Sequence, residues 1–287
     1  MSDGARSVLA SLRELRAVLG AADPGQARFE AELLLRRVLD CSRAWLIAHG
    51  EDAIPDAAHA QALALAHRRA GGEPIAHILG RREFWSLDLC ITAQVLIPRA
   101  DTELLVERAL AHLAQASPAR VCDLGTGSGA VALALAVERP RARITASDSS
   151  LAALRVAAAN AARLAPGRIA FVAGDWLTPF AAGAFDLVVG NPPYVASGDA
   201  HLERGDLRFE PRAALVSGAD GLDAIRCITR CVARCLRGGG WLALEHGAQQ
   251  GEAVRAAFAA AGLVALSTHR DLAGHERVTQ GRMASGD

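Results

Sequence analysis

The sequence predicts an α/β protein in which a mostly parallel sheet follows a small N-terminal helical bundle and a β-hairpin linker. Three observations carry that expectation. From residue 120 onward, short apolar β-branched runs alternate with helix-period segments, the pattern of right-handed strand–helix–strand crossovers. The first of these runs, Arg120–Leu124, leads straight into Gly125-Thr126-Gly127-Ser128-Gly129 and then a helix. Upstream, residues 1 to about 76 show helical stripes alone, and residues 77–99 show two extended runs.

Composition narrows the field before any motif does. At 287 residues with 51% hydrophobic content, the chain can bury a large core, and two unequal domains are expected. With 31 basic and 31 acidic residues, no global field draws it to nucleic acid or to an anionic membrane. There is no lysine, which removes Schiff-base chemistry and a P-loop lysine together. Six cysteines occur without a C-x-x-C pair, and no secretion leader or apolar run of about 18 residues stands out. We therefore expect reduced thiols, a cytoplasmic location and no membrane span. Cys227, Cys231 and Cys235 share one helix face at i, i+4, i+8, a spacing that suits a metal. Ile225, Ile228 and Val232 beside them favour small buried hydrophobes instead, so no metal is expected.

In chain order, Val8, Leu9, Leu12, Leu15 and Leu19 mark a first helical stripe, Ala31, Leu34, Leu35, Val38 and Leu39 a second, and residues 63–67 part of a third. Gly20, Asp23-Pro24, His49-Gly50, Pro55 and Gly71-Gly72 punctuate them. Residues 1–80 carry nine Arg against ten acids, so this near-neutral bundle reads as a protein-docking module rather than a nucleic-acid grip. Phe84 to Thr92 alternates and Val95-Leu96-Ile97-Pro98 follows, giving the expected hairpin. A helix over 101–114 comes next.

The turn Gly125-Thr126-Gly127-Ser128-Gly129 offers close backbone approach and free N–H groups at a helix start, a nucleotide-type cradle. Alone it is weak, because Gly125, Gly127 and Ala130 also satisfy the dinucleotide fingerprint. A second strand, 143–147, ends at Asp148, whose carboxylate suits the two hydroxyls of a ribose. After a helix over Leu151–Leu164, a third strand, 169–172, ends in Gly174-Asp175-Trp176. Asp175 can accept from an exocyclic amine or cap a turn, with the two readings evenly matched. Trp176 offers an apolar face to adenine.

The fourth strand, 185–189, delivers Asn191-Pro192-Pro193-Tyr194. Two prolines cannot continue a strand, so this is a loop at a strand's carboxyl end, where open α/β sheets place ligands. The Asn191 oxygen and the Pro192 carbonyl are two acceptors suited to one NH2 group, and Tyr194 supplies a face for a planar amide or a base. A rigid turn with a packing tyrosine is the bland alternative. Downstream, residues 197–217 are polar, a candidate substrate lid. Residues 222–236 form a helix, Gly238-Gly239-Gly240 a turn and 241–245 a strand, and a helix over 250–261 and strands at 263–268 and 277–281 complete the sheet. The nine histidines read as surface or satisfied core residues.

Gly125-x-Gly127-x-Gly129, Asp148, Asp175 and Asn191-Pro192-Pro193-Tyr194 in this order resemble class I S-adenosylmethionine-dependent methyltransferases that act on planar NH2 groups. Further stretches narrow the resemblance to the HemK/PrmC family: residues 72–80, Arg82-Glu83-Phe84-Trp85, Leu96-Ile97-Pro98-Arg99, Asp101-Thr102-Glu103, Arg208-Phe209-Glu210-Pro211 and Leu244-Glu245-His246-Gly247. Ala100 stands where that family usually has proline. The resemblance implies a Rossmann-like class I methyltransferase sheet, mostly parallel with an antiparallel last strand. It implies methyl transfer to the glutamine amide of the Gly-Gly-Gln motif in class-1 peptide chain release factors. Domains are then expected at 1–76 for docking the substrate protein, 77–99 as linker and 100–287 for methyl transfer. Residues 125–129, Asp148, Asp175, Trp176 and Asn191 would contact S-adenosylmethionine (product S-adenosylhomocysteine). Residues 191–194 would hold the glutamine, with Asn191, Pro192 and Tyr194 catalytic. The partners implied are release factors alone, with no direct nucleic-acid contact, no membrane and a monomeric enzyme. An adenine-N6 methyltransferase, a dehydrogenase and a non-catalytic adaptor are the competing readings.

Overall fold

The computed structural model describes residues 6–20 and 25–285. The break expected at Asp23-Pro24 and the outermost residues of the expected domains lie outside the described residues. The chain divides into two compact units, one drawn from residues 1–80 and 203–209, the other from residues 81–202 and 210–287.

The first unit is built on α1 (Val8–Gly20), α2 (Ala27–Leu39), α3 (Arg43–Ala48), α4 (Asp56–Ala70) and α5 (Ile75–Leu79). Leu15, Leu19, Leu34, Leu35, Ala62 and Ala66 interlock as its core, so the three stripes point inward together. The short helices α3 and α5 lie outside the stripes, and local chemistry sets them. Ser42 Oγ caps α3 by accepting the Trp45 N–H at 3.1 Å, and Gly80 ends α5 at φ 69°. Buried polar pairs fix the packing: Ser11 Oγ meets His59 Nδ1 at 2.9 Å, and Arg69 Nε donates to Glu30 at 2.9 Å.

The second unit opens with a hairpin of β1 (Arg81–Phe84) and β2 (Leu87–Cys90), paired antiparallel. Its two-residue turn, Trp85-Ser86, holds both residues at positive φ, 52° and 57°, as a primed turn requires. The hairpin is thus shorter than expected, and Val95-Leu96-Ile97-Pro98 forms no strand. Pro98 has no N–H for a ladder, and the Ile97 N–H donates instead to Glu210 Oε2 at 2.9 Å.

The sheet contains β3 (Arg120–Leu124), β4 (Arg143–Asp148), β5 (Ile169–Ala173), β6 (Phe185–Gly190), β7 (Leu236–Glu245), β8 (Leu263–Arg270) and β9 (Glu276–Met283). Their order is β5-β4-β3-β6-β7-β9-β8, with the first five parallel and β9 antiparallel to both neighbours. Helices α6 (Glu103–Ala111), α7 (Ala130–Glu138), α8 (Leu151–Leu164), α9 (Asp223–Cys235) and α10 (Gly251–Ala260) complete the unit. A 3-10 turn over Ala100–Thr102 replaces the first residues of the longer helix expected at 101–114.

One further expectation needs correction. Gly238-Gly239-Gly240 is no turn between elements; it lies inside β7, between Leu236, which pairs with Phe185, and Trp241, which pairs with Leu187. The glycines let the strand bulge there, since a Cβ on Gly240 would stand 3.0 Å from the Asp186 carbonyl. The polar segment 197–217, whose internal structure the sequence left open, folds into 3-10 turns at Ala200–Glu203, Gly205–Phe209 and Arg212–Ala214. On α9, Cys235 is buried beside Ile225, Ile228 and Val232, and burial raises its thiol pKa, as for a small hydrophobe.

Candidate active site

Strands β3, β4 and β5 step outward in one direction, and β6 returns to the other side of β3, so the switch point of the sheet lies between β3 and β6. Register makes this concrete. Leu124 pairs with Gly190, so the chain leaves the two strands side by side, as Gly125 and as Asn191. Glycine suits position 190, because a Cβ there would crowd the Leu124 carbonyl at 3.0 Å.

The glycine turn holds Gly125, Gly127 and Gly129 at φ 66°, 56° and 85°, conformations that side chains disfavour. Gly129 N–H closes the turn on the Thr126 carbonyl at 2.8 Å, and α7 begins at the next residue. Asp148 stands at the end of β4. One of its oxygens accepts the Gly127 N–H at 3.0 Å and the other the Ser150 N–H at 2.9 Å, so the carboxylate organises the turn while keeping lone pairs for a ligand. Asp175 is exposed, and Trp176, at φ 45°, stands over Gly125, where an added Cβ would lie 3.4 Å from the ring.

A cavity of about 270 Å³ collects Gly125, Gly127, Asp148, Asp175, Trp176, Asn191 and Pro193, closed on other sides by Leu96 and Pro211. A smaller one, about 50 Å³, adds Thr126 and Ser128 with Thr102 and Asp123, and Asn191 lines both. Gly129, Pro192 and Tyr194 line neither. Gly129 packs α7 against Ala157 of α8, Pro192 is buried, and Tyr194 is half-buried.

The Asn191 side chain is oriented by its nitrogen, which donates to Thr102 Oγ1 at 3.1 Å and so leaves the oxygen as acceptor. The phenol of Tyr194 donates to Glu245 Oε1 at 3.4 Å, and its carbonyl accepts from Gln250 Nε2 at 3.0 Å. A bridge between Val195 and Val216 anchors the chain immediately after the loop.

Three residues of this arrangement escaped the sequence reading as functional groups. Asp123 is buried in β3, where it accepts from Thr126 Oγ1 at 2.6 Å and from the Ala132 N–H at 3.2 Å; burial pushes its carboxyl up to about 7. Glu245, fully buried at the end of β7, is likewise pushed up to about 7 by burial, against the pull of Thr102, Arg277 and Tyr194. Thr102 joins the two ends of the network. An acid inside an otherwise apolar strand was the available signal for Asp123, and nothing in spacing marks Thr102. His246, next to Glu245, is a satisfied core histidine: Nε2 meets Thr279 Oγ1 at 2.9 Å, and burial lowers its pKa. Among the described residues there is no cluster of three or more His, Cys, Asp or Glu placed to hold a metal, and no helix is long and apolar enough to cross a membrane.

Known proteins match both parts of the chain. Residues 10–80 fit the family described as PrmC N-terminal domain, and residues 100–208 the methyltransferase small domain. The release factor glutamine methyltransferase of Xylella fastidiosa (strain 9a5c) is 52% identical over 93% of this chain and 97% of its own. That of Escherichia coli (strain K12) is 47% identical over 94% and 97%. Among solved structures, a methyltransferase from Pyrococcus furiosus superposes with a TM-score of 0.52 at 15% identity, covering 69% of this chain and 89% of that one, a likeness of fold.

Proposed function

The chain belongs to the release factor glutamine methyltransferase family, and from that membership and the site we propose that it methylates a glutamine side-chain amide with S-adenosylmethionine as donor. The glutamine is that of the Gly-Gly-Gln motif in class-1 peptide chain release factors. The observation that carries the reading is Asn191: its nitrogen is committed to Thr102, its oxygen is free to accept, and it borders the cavity at the switch point.

The residues present fit the donor. Positive-φ glycines bring bare backbone to the cavity wall, Trp176 offers an apolar face for adenine, and Asp148 retains acceptor capacity for a ribose. When bound, S-adenosylmethionine supplies a methyl group activated by a sulfonium. An amide nitrogen is a poor nucleophile because its lone pair is delocalised into the carbonyl, so this chain must help by placement. The Asn191 oxygen and the Pro192 carbonyl accept the two amide hydrogens, which raises electron density on nitrogen and turns its lone pair toward the donor pocket. Tyr194 fixes the plane of the amide by stacking. The near-neutral helical part, residues 1–76, serves to dock the substrate protein, and the enzyme acts in the cytoplasm as a monomer.

Adenine N6 in DNA or RNA presents the same NH2 geometry and is the second reading. With nine Arg against ten acids in residues 1–80, the helical part carries no net positive charge to draw nucleic acid. Incubation with labelled donor and an equimolar mixture of release factor, DNA and RNA separates the two: label on the release factor alone is expected, and label on nucleic acid alone overturns the proposal.

A further inference from the structure

The acid behind the tyrosine has no assigned task. Glu245 is fully buried, its Oε1 receives the Tyr194 phenol, and its Oε2 has no hydrogen-bond partner among the described residues. A buried carboxylate with half its lone pairs unused costs stability and calls for an explanation. The Thr102 side chain faces the same carboxylate and is the acceptor for Asn191 Nδ2. Glu245 therefore sits where the supports of both ends of the 191–194 loop converge.

We propose that Glu245 is a positioning residue for methyl transfer, holding the Tyr194 ring through its hydroxyl and the Asn191 amide through Thr102 in the arrangement that receives the substrate NH2 group. The inference rests on the proposed function for its chemistry but not for its geometry. Ionised, the carboxylate is the stronger acceptor for the phenol; protonated, it grips less tightly. The charged and titratable groups around it are Tyr194, Arg277 and Asp101, with Arg277 also paired to Asp271, and Arg99 near the phenol. Burial together with Glu245 raises the phenol pKa, so Tyr194 remains a donor at working pH. Burial lowers His246, which leaves Glu245 as the group of this cluster that changes charge near neutrality. The grip accordingly forms as pH rises through about 7.

Tyr194 is the single tyrosine of the chain, so it can be watched alone. In protein labelled with 13C at tyrosine Cζ, the one resonance should shift with a midpoint near pH 7 in the native enzyme and stay still in Glu245→Gln. A resonance that is constant from pH 5.5 to 9 in the native protein, or that still titrates in Glu245→Gln, overturns the proposal. This readout needs no substrate, so it stands even if glutamine proves not to be the acceptor. On a Gly-Gly-Gln peptide, Glu245→Gln should lower kcat about three- to tenfold above pH 7 and remove its rise through neutrality, with peptide KM and donor affinity unchanged. Tyr194→Phe should have a similar effect, and the double variant should be no slower than the slower single one. Losses that multiply in the double variant, or a change confined to KM, contradict a positioning role.

Discussion

Replacing Asp123 by Asn should alter how stability depends on pH, by an amount the structure sets. The carboxyl is fully buried and titrates near 7 instead of near 3.8, so between those values the folded state holds a proton that the unfolded chain has released. Stability therefore falls as pH rises across that window, by about 1.4 kcal/mol per pH unit for this group, and levels off above 7. From pH 5 to pH 7 the contribution is about 2 kcal/mol, because the slope falls off as the folded-state value is reached. Asparagine keeps the local bonds, because Thr126 and Ala132 both donate to Oδ2, a position the amide oxygen can take, but it cannot titrate. Urea unfolding of both proteins at pH 5, 6 and 7 should show the native curve losing about 2 kcal/mol relative to Asp123→Asn. Parallel curves would refute the assignment of a protonated acid beneath the glycine turn.

Asn191→Ala should reduce methyl transfer at least about 100-fold, in a radiolabel assay, while circular dichroism and the melting temperature stay close to native, since one half-buried hydrogen bond to Thr102 is worth about 1 kcal/mol. Gly129→Ala places a side chain at φ 85° with its Cβ 3.2 Å from that of Ala157 and should cost about 1–3 kcal/mol in denaturant unfolding. Glu210→Ala removes a side chain with no exposed surface that accepts from the Ile97 N–H and pairs with Arg99; a loss of about 2–3 kcal/mol is expected by the same measurement.

What could be read ahead of the structure was whatever depends on nearest neighbours in sequence. Arg120–Leu124 and Leu151–Leu164 begin and end where periodicity puts them, and the loop after β6 followed from two prolines alone. The antiparallel β9 and the Rossmann-like sheet agree with the family the motifs resemble. Features that depend on distant partners were hidden. The Trp85-Ser86 turn carries no glycine or asparagine to announce its positive φ, and the triple glycine in β7 reads as a turn until Phe185 and Leu187 are seen to pair across it. At the site, Thr102, Asn191, Tyr194 and Glu245 form one network from α6's entry turn, β6's exit and β7's end, and no spacing rule links them.

The most direct test of the functional proposal is tandem mass spectrometry of a release-factor peptide containing Gly-Gly-Gln after incubation with S-adenosylmethionine and enzyme. One added methyl, located on the glutamine side-chain amide and absent with Asn191→Ala, is the expected result. An unmodified glutamine under conditions where the same preparation methylates adenine in DNA or RNA would contradict it.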